Sequence, residues 1–83
     1  MASVYILRCH DKTFYTGWAI DLKKRVARHQ AGKAAKYTRS RLPVQLVYVE
    51  EFSTPAAAMK REYAIKQLSK AEKAVLVSSR EPL

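Results

Sequence analysis

Val4 to Cys9 reads Val-Tyr-Ile-Leu-Arg-Cys, a nearly unbroken apolar and β-prone run. A strand with one wet face alternates apolar and polar side chains, so such a run is expected where a strand is covered on both faces. That requirement constrains the fold strongly, because only 83 residues are available to build both covers. A domain of this size buries roughly two-thirds of its unfolded surface, which leaves one thin core. A single domain over residues 1–83 is expected, with its core from about 3 to 77 and a polar, frayed tail over 78–83.

The neighbouring segments supply the cover. His10-Asp11-Lys12 is a short polar turn, after which Thr13 to Trp18 alternates: Phe14, Thr16 and Trp18 on one side, Tyr15 and Gly17 on the other. Two strands joined so closely form an antiparallel hairpin. Asp21 caps a helix in which Leu22, Val26 and His29 share the inward face with Arg25 among them, and Gly32 stops it. Lys33 to Arg41 is a basic loop, expected to be mobile until something binds it. Val44 to Phe52 is a third strand. Thr54-Pro55 starts a helix that runs to about Leu68, with Ala57, Ala58, Ala64, Ile65 and Leu68 inward. Ser69-Lys70-Ala71-Glu72 is a capping box that opens a short last helix through Val77. The expected class is α+β: a three-stranded, mainly antiparallel sheet flanked by helices, in the order β-β-α-β-α-α.

Charge points to the partner. Sixteen Lys and Arg stand against seven Asp and Glu, a net charge of +9. Between Leu22 and Val49 there is no acidic residue, yet Lys23, Lys24, Arg25, Arg28, Lys33, Lys36, Arg39 and Arg41 all fall there. A surface of one sign attracts a polyanion and gains affinity by releasing its counterions. Tyr37, in the middle of the basic stretch, offers a ring for a base or a sugar. Nucleic acid is therefore the expected ligand. Lys23, Lys24, Arg28, Lys33, Lys36, Tyr37, Arg39 and Arg41 are its candidate contacts.

No apolar run approaches the roughly 20 residues of a membrane span, and the N-terminus lacks the basic start and cleavage site of a signal peptide. The single cysteine, Cys9, allows no internal disulfide and reads as a buried strand residue. A cytoplasmic monomer without a membrane partner is expected; protein partners are not legible. His10 and His29 lack metal-ligand spacing, no glycine-rich loop cradles a phosphate, and no serine sits in a nucleophile elbow.

What stands out is a set of polar residues where burial is expected. Arg25 lies among apolar neighbours, Glu62 borders the apolar face of the later helix, Tyr5 lies in the buried strand, and Tyr15 shares a face with Gly17. A charge at the edge of a core is costly unless it is paired, liganded or used. The plain alternative is that Arg25 and Glu62 form a structural ion pair and the tyrosines fill the core.

The order and spacing of Ser3-Val4-Tyr5, Tyr15-Thr16-Gly17, Leu22-Lys23-Lys24-Arg25-Val26, and Glu62 ahead of Ile65-Lys66 resemble the GIY-YIG nuclease superfamily, in particular its small stand-alone bacterial members. The phrases Val-Tyr-Ile-Leu-Arg-Cys, Ala-Lys-Tyr-Thr-Arg and Ala-Ile-Lys-Gln-Leu-Ser resemble that subgroup as well, and the likeness runs from about Val4 to Val77. Ser3 stands where the family's first motif has glycine, and Thr16 where its second has isoleucine. The resemblance implies a metal-dependent endonuclease that hydrolyses phosphodiester bonds, in DNA, within repair or processing. It implies Tyr5, Tyr15, Arg25 and His29 as catalytic residues and Glu62 as the ligand of Mg²⁺ or Mn²⁺. Arg25 would bind the scissile phosphate, and a tyrosine, its pKa lowered by nearby cations, would take a proton from water. The alternative is a non-catalytic nucleic-acid-binding module that keeps the fold and its basic face.

Overall fold

The apolar run becomes the middle strand. A computed structural model describes residues 1–80, and in it β1 (Ala2–Arg8) lies between β2 (Phe14–Ala19) and β3 (Gln45–Phe52), antiparallel to both. Of the expected tail, 81–83 lie outside the described residues. Lys12 adopts φ 70° in the β1–β2 turn, and Asp11 Oδ1 accepts hydrogen bonds from the Thr13 amide and hydroxyl. The register pairs Tyr5 with Gly17, Leu7 with Tyr15 and Val4 with Trp18.

Alternation along β1 divides the interior into two cores. Ala2, Val4 and Ile6 point to one side, where they meet Tyr48, Ala58, Ile65 and Val77. Tyr5 and Leu7 point to the other, where they meet Val44, Leu22 and Val26. The first side is covered by α3 (Pro55–Lys66) and α4 (Lys70–Ser78), the second by α1 (Leu22–Gln30). The expected requirement for cover on both faces is met in this way, and the sheet is α+β as expected.

Local chemistry fixes the helix ends. Asp21 accepts from the Lys24 amide at 3.0 Å, and Thr54 accepts from the Ala57 amide ahead of Pro55 in the first turn. Ser69 and Glu72 form the reciprocal capping box. Gly32, at φ 74°, closes α1, with its amide bonded to the His29 carbonyl and that of Lys33 to the Arg28 carbonyl. Only glycine enters this left-handed conformation without strain.

Three expectations need correction. The basic stretch is not simply a loop: it contains a short helix, α2 (Lys36–Arg39), whose Thr38 is fully buried. Arg25 is exposed rather than inward. It sits at the margin of the Leu22–Val26–His29 stripe, and its long stem carries the guanidinium outward. On α3, Ala64 is exposed, while Ala58 and Ile65 are buried and Glu62 is half-buried. The inward face follows 58, 62 and 65, the i, i+4, i+7 rows of a helix, and position 64 lies off it. Among the described residues no helix is long and apolar enough to cross a membrane.

Candidate active site

Tyr5 is held in place by what Gly17 lacks. A β-carbon on Gly17 would lie 2.6 Å from Tyr5 Oη and 2.7 Å from its Cζ, so the ring occupies the space of the missing side chain. Tyr15, two residues along the same face, packs beside it with ring centroids 6.5 Å apart. Tyr5 is wholly buried and Tyr15 half-buried.

His29 closes this group from above. It is 1% exposed, with its ring 5.7 Å from that of Tyr5 and 5.1 Å from that of Tyr15. Nε2 lies 2.8 Å from Tyr5 Oη and Nδ1 lies 2.9 Å from Thr38 Oγ1. Thr38 donates its one hydroxyl proton to the Ala35 carbonyl at 3.1 Å. Its oxygen must therefore accept from His29 Nδ1–H, which leaves Nε2 as the acceptor of the Tyr5 proton. The bonds form a directed chain, Tyr5 to His29 to Thr38 to Ala35.

The electrostatics keep this chain neutral. Burial pushes the Tyr5 hydroxyl up to about 12, Tyr15 adds to the rise, Arg25 opposes it, and the charge of Glu62 raises it further. Arg25 acts on Tyr5 in the expected direction, lowering it, but loss of hydration outweighs it. Burial, and then the charge of Arg25, hold His29 below its ordinary range.

Arg25 and Glu62 approach from opposite layers. Arg25 Nη1 donates to the Trp18 carbonyl at 3.4 Å and, with Lys24 and Arg28, lines a hollow of about 210 Å³ beside Trp18 and Asp21. Glu62 comes from α3, on the other side of the sheet, yet acts electrostatically on Tyr5. β2 is an edge strand, and the two layers meet around its free side. The side chain of Glu62 is 19% exposed and its carboxylate pairs with Lys66 at 3.5 Å; among the described residues no ion pair joins it to Arg25. The structural-pair alternative is not what this structure contains.

The remaining candidates divide. Lys23, Lys33, Lys36 and Arg39 are exposed, as a polyanion surface requires. Tyr37 stacks on Tyr15 at 6.1 Å and 27°, and the guanidinium of Arg41 lies 3.9 Å over its ring. Arg41 is further committed to Asp11 at 3.0 Å and to the Tyr37 carbonyl at 2.9 Å. Tyr37 nevertheless stays 37% exposed and lines the adjoining hollows, while Arg41 serves as a strut as well as a surface cation. Sequence reasoning missed Thr38, which orients His29 from nine positions away with no local signal. It also missed Lys66, for which the i, i+4 spacing from Glu62 was the available sign.

The GIY-YIG catalytic domain model matches residues 1–74. The chain is 53% identical over 76 residues to UPF0213 protein VNG_2274C of Halobacterium salinarum, covering 92% of this chain and 99% of that one. It is 51% identical to UPF0213 protein SSP2268 of Staphylococcus saprophyticus, covering 90% and 92%. The solution structure of UPF0213 protein BH0048 from Bacillus halodurans shares 44% identity and superimposes with a TM-score of 0.64 over 99% of this chain and 89% of that one. With this sheet, the tyrosines astride its glycine and a family match over nearly all of its length, the chain belongs to the GIY-YIG family, whose fold is of the nuclease type.

Proposed function

We propose that this protein is a metal-dependent endonuclease acting on the phosphodiester backbone of DNA, with Tyr5, Tyr15, Arg25 and His29 as its catalytic residues and Glu62 as its metal ligand. The observation that carries the reading is the directed chain from Tyr5 through His29 to Thr38. A tyrosine near 12 is a poor base by itself. Tyr5 escapes that limit because its hydroxyl proton has a neutral imidazole nitrogen waiting 2.8 Å away. Tyr5 is wholly buried, so the Tyr15 ring has to draw aside before water reaches Oη; as that water attacks phosphorus, its proton passes to Tyr5 Oη while the Tyr5 proton passes to His29 Nε2. Tyr5 ends neutral, His29 ends as imidazolium, and Nδ1–H keeps its bond to Thr38 throughout. Tyr15 packs against both rings and fixes their mutual orientation.

Arg25 is suited to the scissile phosphate, since its exposed fork can take two oxygens at once. Glu62 is one carboxylate, and among the described residues no group of three His, Cys, Asp or Glu could hold a metal ion. That donor set fits a hard cation that keeps most of its water and binds through one carboxylate and substrate phosphate. Lys66 would have to yield the carboxylate, which is easy because an i, i+4 pair contributes only about 0.3–0.5 kcal/mol. Bound there, Mg²⁺ or Mn²⁺ would supply neutralising charge to the phosphate and its leaving oxygen.

Glu62→Ala and Arg25→Ala decide between a nuclease and a binding module. Each should lower Mg²⁺-dependent cleavage by roughly 10²-fold or more. Glu62→Ala should leave affinity equal or slightly higher, because it removes a negative charge facing a polyanion. Cleavage is to be assayed on supercoiled, linear, branched and single-stranded DNA, with folding checked by circular dichroism. No cleavage of any substrate by the wild type would leave the binding module as the reading. A folded Glu62→Ala that cuts at the wild-type rate would move the metal site elsewhere.

A further inference from the structure

The free edge of β2 has a hollow at each end. At the Trp18–Asp21 end lies the one lined by Lys24, Arg25 and Arg28. At the other end two adjoining hollows, of about 240 and 200 Å³, share Phe14, Tyr37 and Lys73; Lys66 joins the first and Lys70 the second. Tyr5 lies between the two ends, opposite Gly17.

The second end has the chemistry of a phosphate site. Three lysines line it and no acidic residue does. Among the described residues neither Lys70 nor Lys73 has an ion-pair partner. Glu72, the nearest acid in sequence, is committed to the Ser69 amide at 2.8 Å. Thr16 belongs to the same hollow, and its Oγ1 is buried with no hydrogen-bond partner, a polar group left for a water or a ligand. Lys66 is paired with Glu62 at 3.5 Å, which leaves Lys70 and Lys73 as the uncompensated cations; such lysines beside the rings of Phe14 and Tyr37 are the elements from which single-strand grooves are built.

We propose that the Lys66–Lys70–Lys73 hollow is a second phosphate-binding subsite, holding the substrate strand on the far side of the scissile bond from Lys24 and Arg28. The inference rests on the nuclease reading and extends it. β2 has six residues, so at about 3.4 Å per residue its edge spans roughly five to six nucleotides of a strand that keeps its duplex rise of about 3.4 Å, and fewer of an extended one. The chain thereby grips one strand on both sides of the cut, and a substrate too short to reach both hollows loses one of them.

Binding of labelled single-stranded DNA in EDTA tests this without any cleavage. Lys70→Gln/Lys73→Gln should weaken a long oligonucleotide several-fold and reduce the salt slope by about 1.4, two contacts at about 0.7 each. The difference from wild type should vanish on an oligonucleotide too short to span β2. Amide resonances of Phe14, Tyr37 and Lys73 in the wild type should shift on titration with the long one, a readout that does not depend on how the variant folds. Lys24→Gln/Arg28→Gln serves as the comparison. If that variant binds weakly while Lys70→Gln/Lys73→Gln matches wild type in affinity and slope, the second subsite is overturned and the nuclease reading stands. If the wild type binds no DNA, both fall.

Discussion

At Gly17 a residue type is dictated from the neighbouring strand. Glycine weakens a strand interior by roughly 0.5–1 kcal/mol relative to alanine, yet here a β-carbon would collide with the Tyr5 ring at 2.6 Å. Gly17→Ala should therefore destabilise the protein, by about 1–3 kcal/mol in urea unfolding, because the buried ring has to shift. An alanine variant as stable as wild type would mean that Tyr5 is not anchored as described. His29 sets a pH limit of its own. Its folded pKa lies below the unfolded value of about 6.5, so the unfolded chain takes up the proton first as pH falls. The stability of neutral His29 is complete above that unfolded value and is lost as pH drops below it towards the folded one. The urea midpoint should fall over this acid range, and His29→Gln should flatten the fall. Cleavage should decline over the lower part of the same range, since imidazolium cannot accept the Tyr5 proton. These residues were legible only in part: Tyr5, Tyr15, Arg25 and Glu62 carry a motif, whereas the burial that raises Tyr5 depends on layers that no motif encodes.

Among the elements, the helix starts were legible and the content of the basic segment was not. Asp21, Thr54 and Ser69 each act on the amide three residues away, so their effect is written locally. α2 is held from a distance, by Thr38 on His29 and by Tyr37 on Tyr15. A four-residue helix has no such support in its own sequence. Thr38→Val tests that tie: it leaves the buried Nδ1–H without an acceptor and should destabilise the fold by about 1–3 kcal/mol. Amide exchange over residues 36–39 should quicken as well. Unchanged exchange there would show that Tyr37 and Arg41 suffice to hold α2.

Across the whole molecule, the basic stretch divides into free and committed cations. Lys33, Lys36 and Arg39 are exposed and available, whereas Arg41 is tied to Asp11 and Tyr37. Neutralising the first three should weaken DNA binding and flatten its salt dependence by up to about 0.9 per phosphate contact on duplex. Arg41→Gln should instead lower the thermal midpoint with a smaller change in salt slope. The reverse pattern would restore Arg41 as a phosphate ligand. The charge run revealed the first group because it is contiguous; Lys66, Lys70 and Lys73 lie some thirty residues further on and join the site only through the packing of α3 and α4 against the sheet.

The seclusion of His29 bears on how the proposed enzyme recovers between cuts. With 1% of its surface exposed and Nδ1 occupied by Thr38, the imidazolium formed in one cycle has no direct route to bulk water. Its other partner, Tyr5, is itself 0% exposed, so the proton leaves through Tyr5 only when the Tyr15 ring beside it draws aside and lets water reach the hydroxyl. Admitting water and rearming the base are then one motion, so turnover can run no faster than that ring moves.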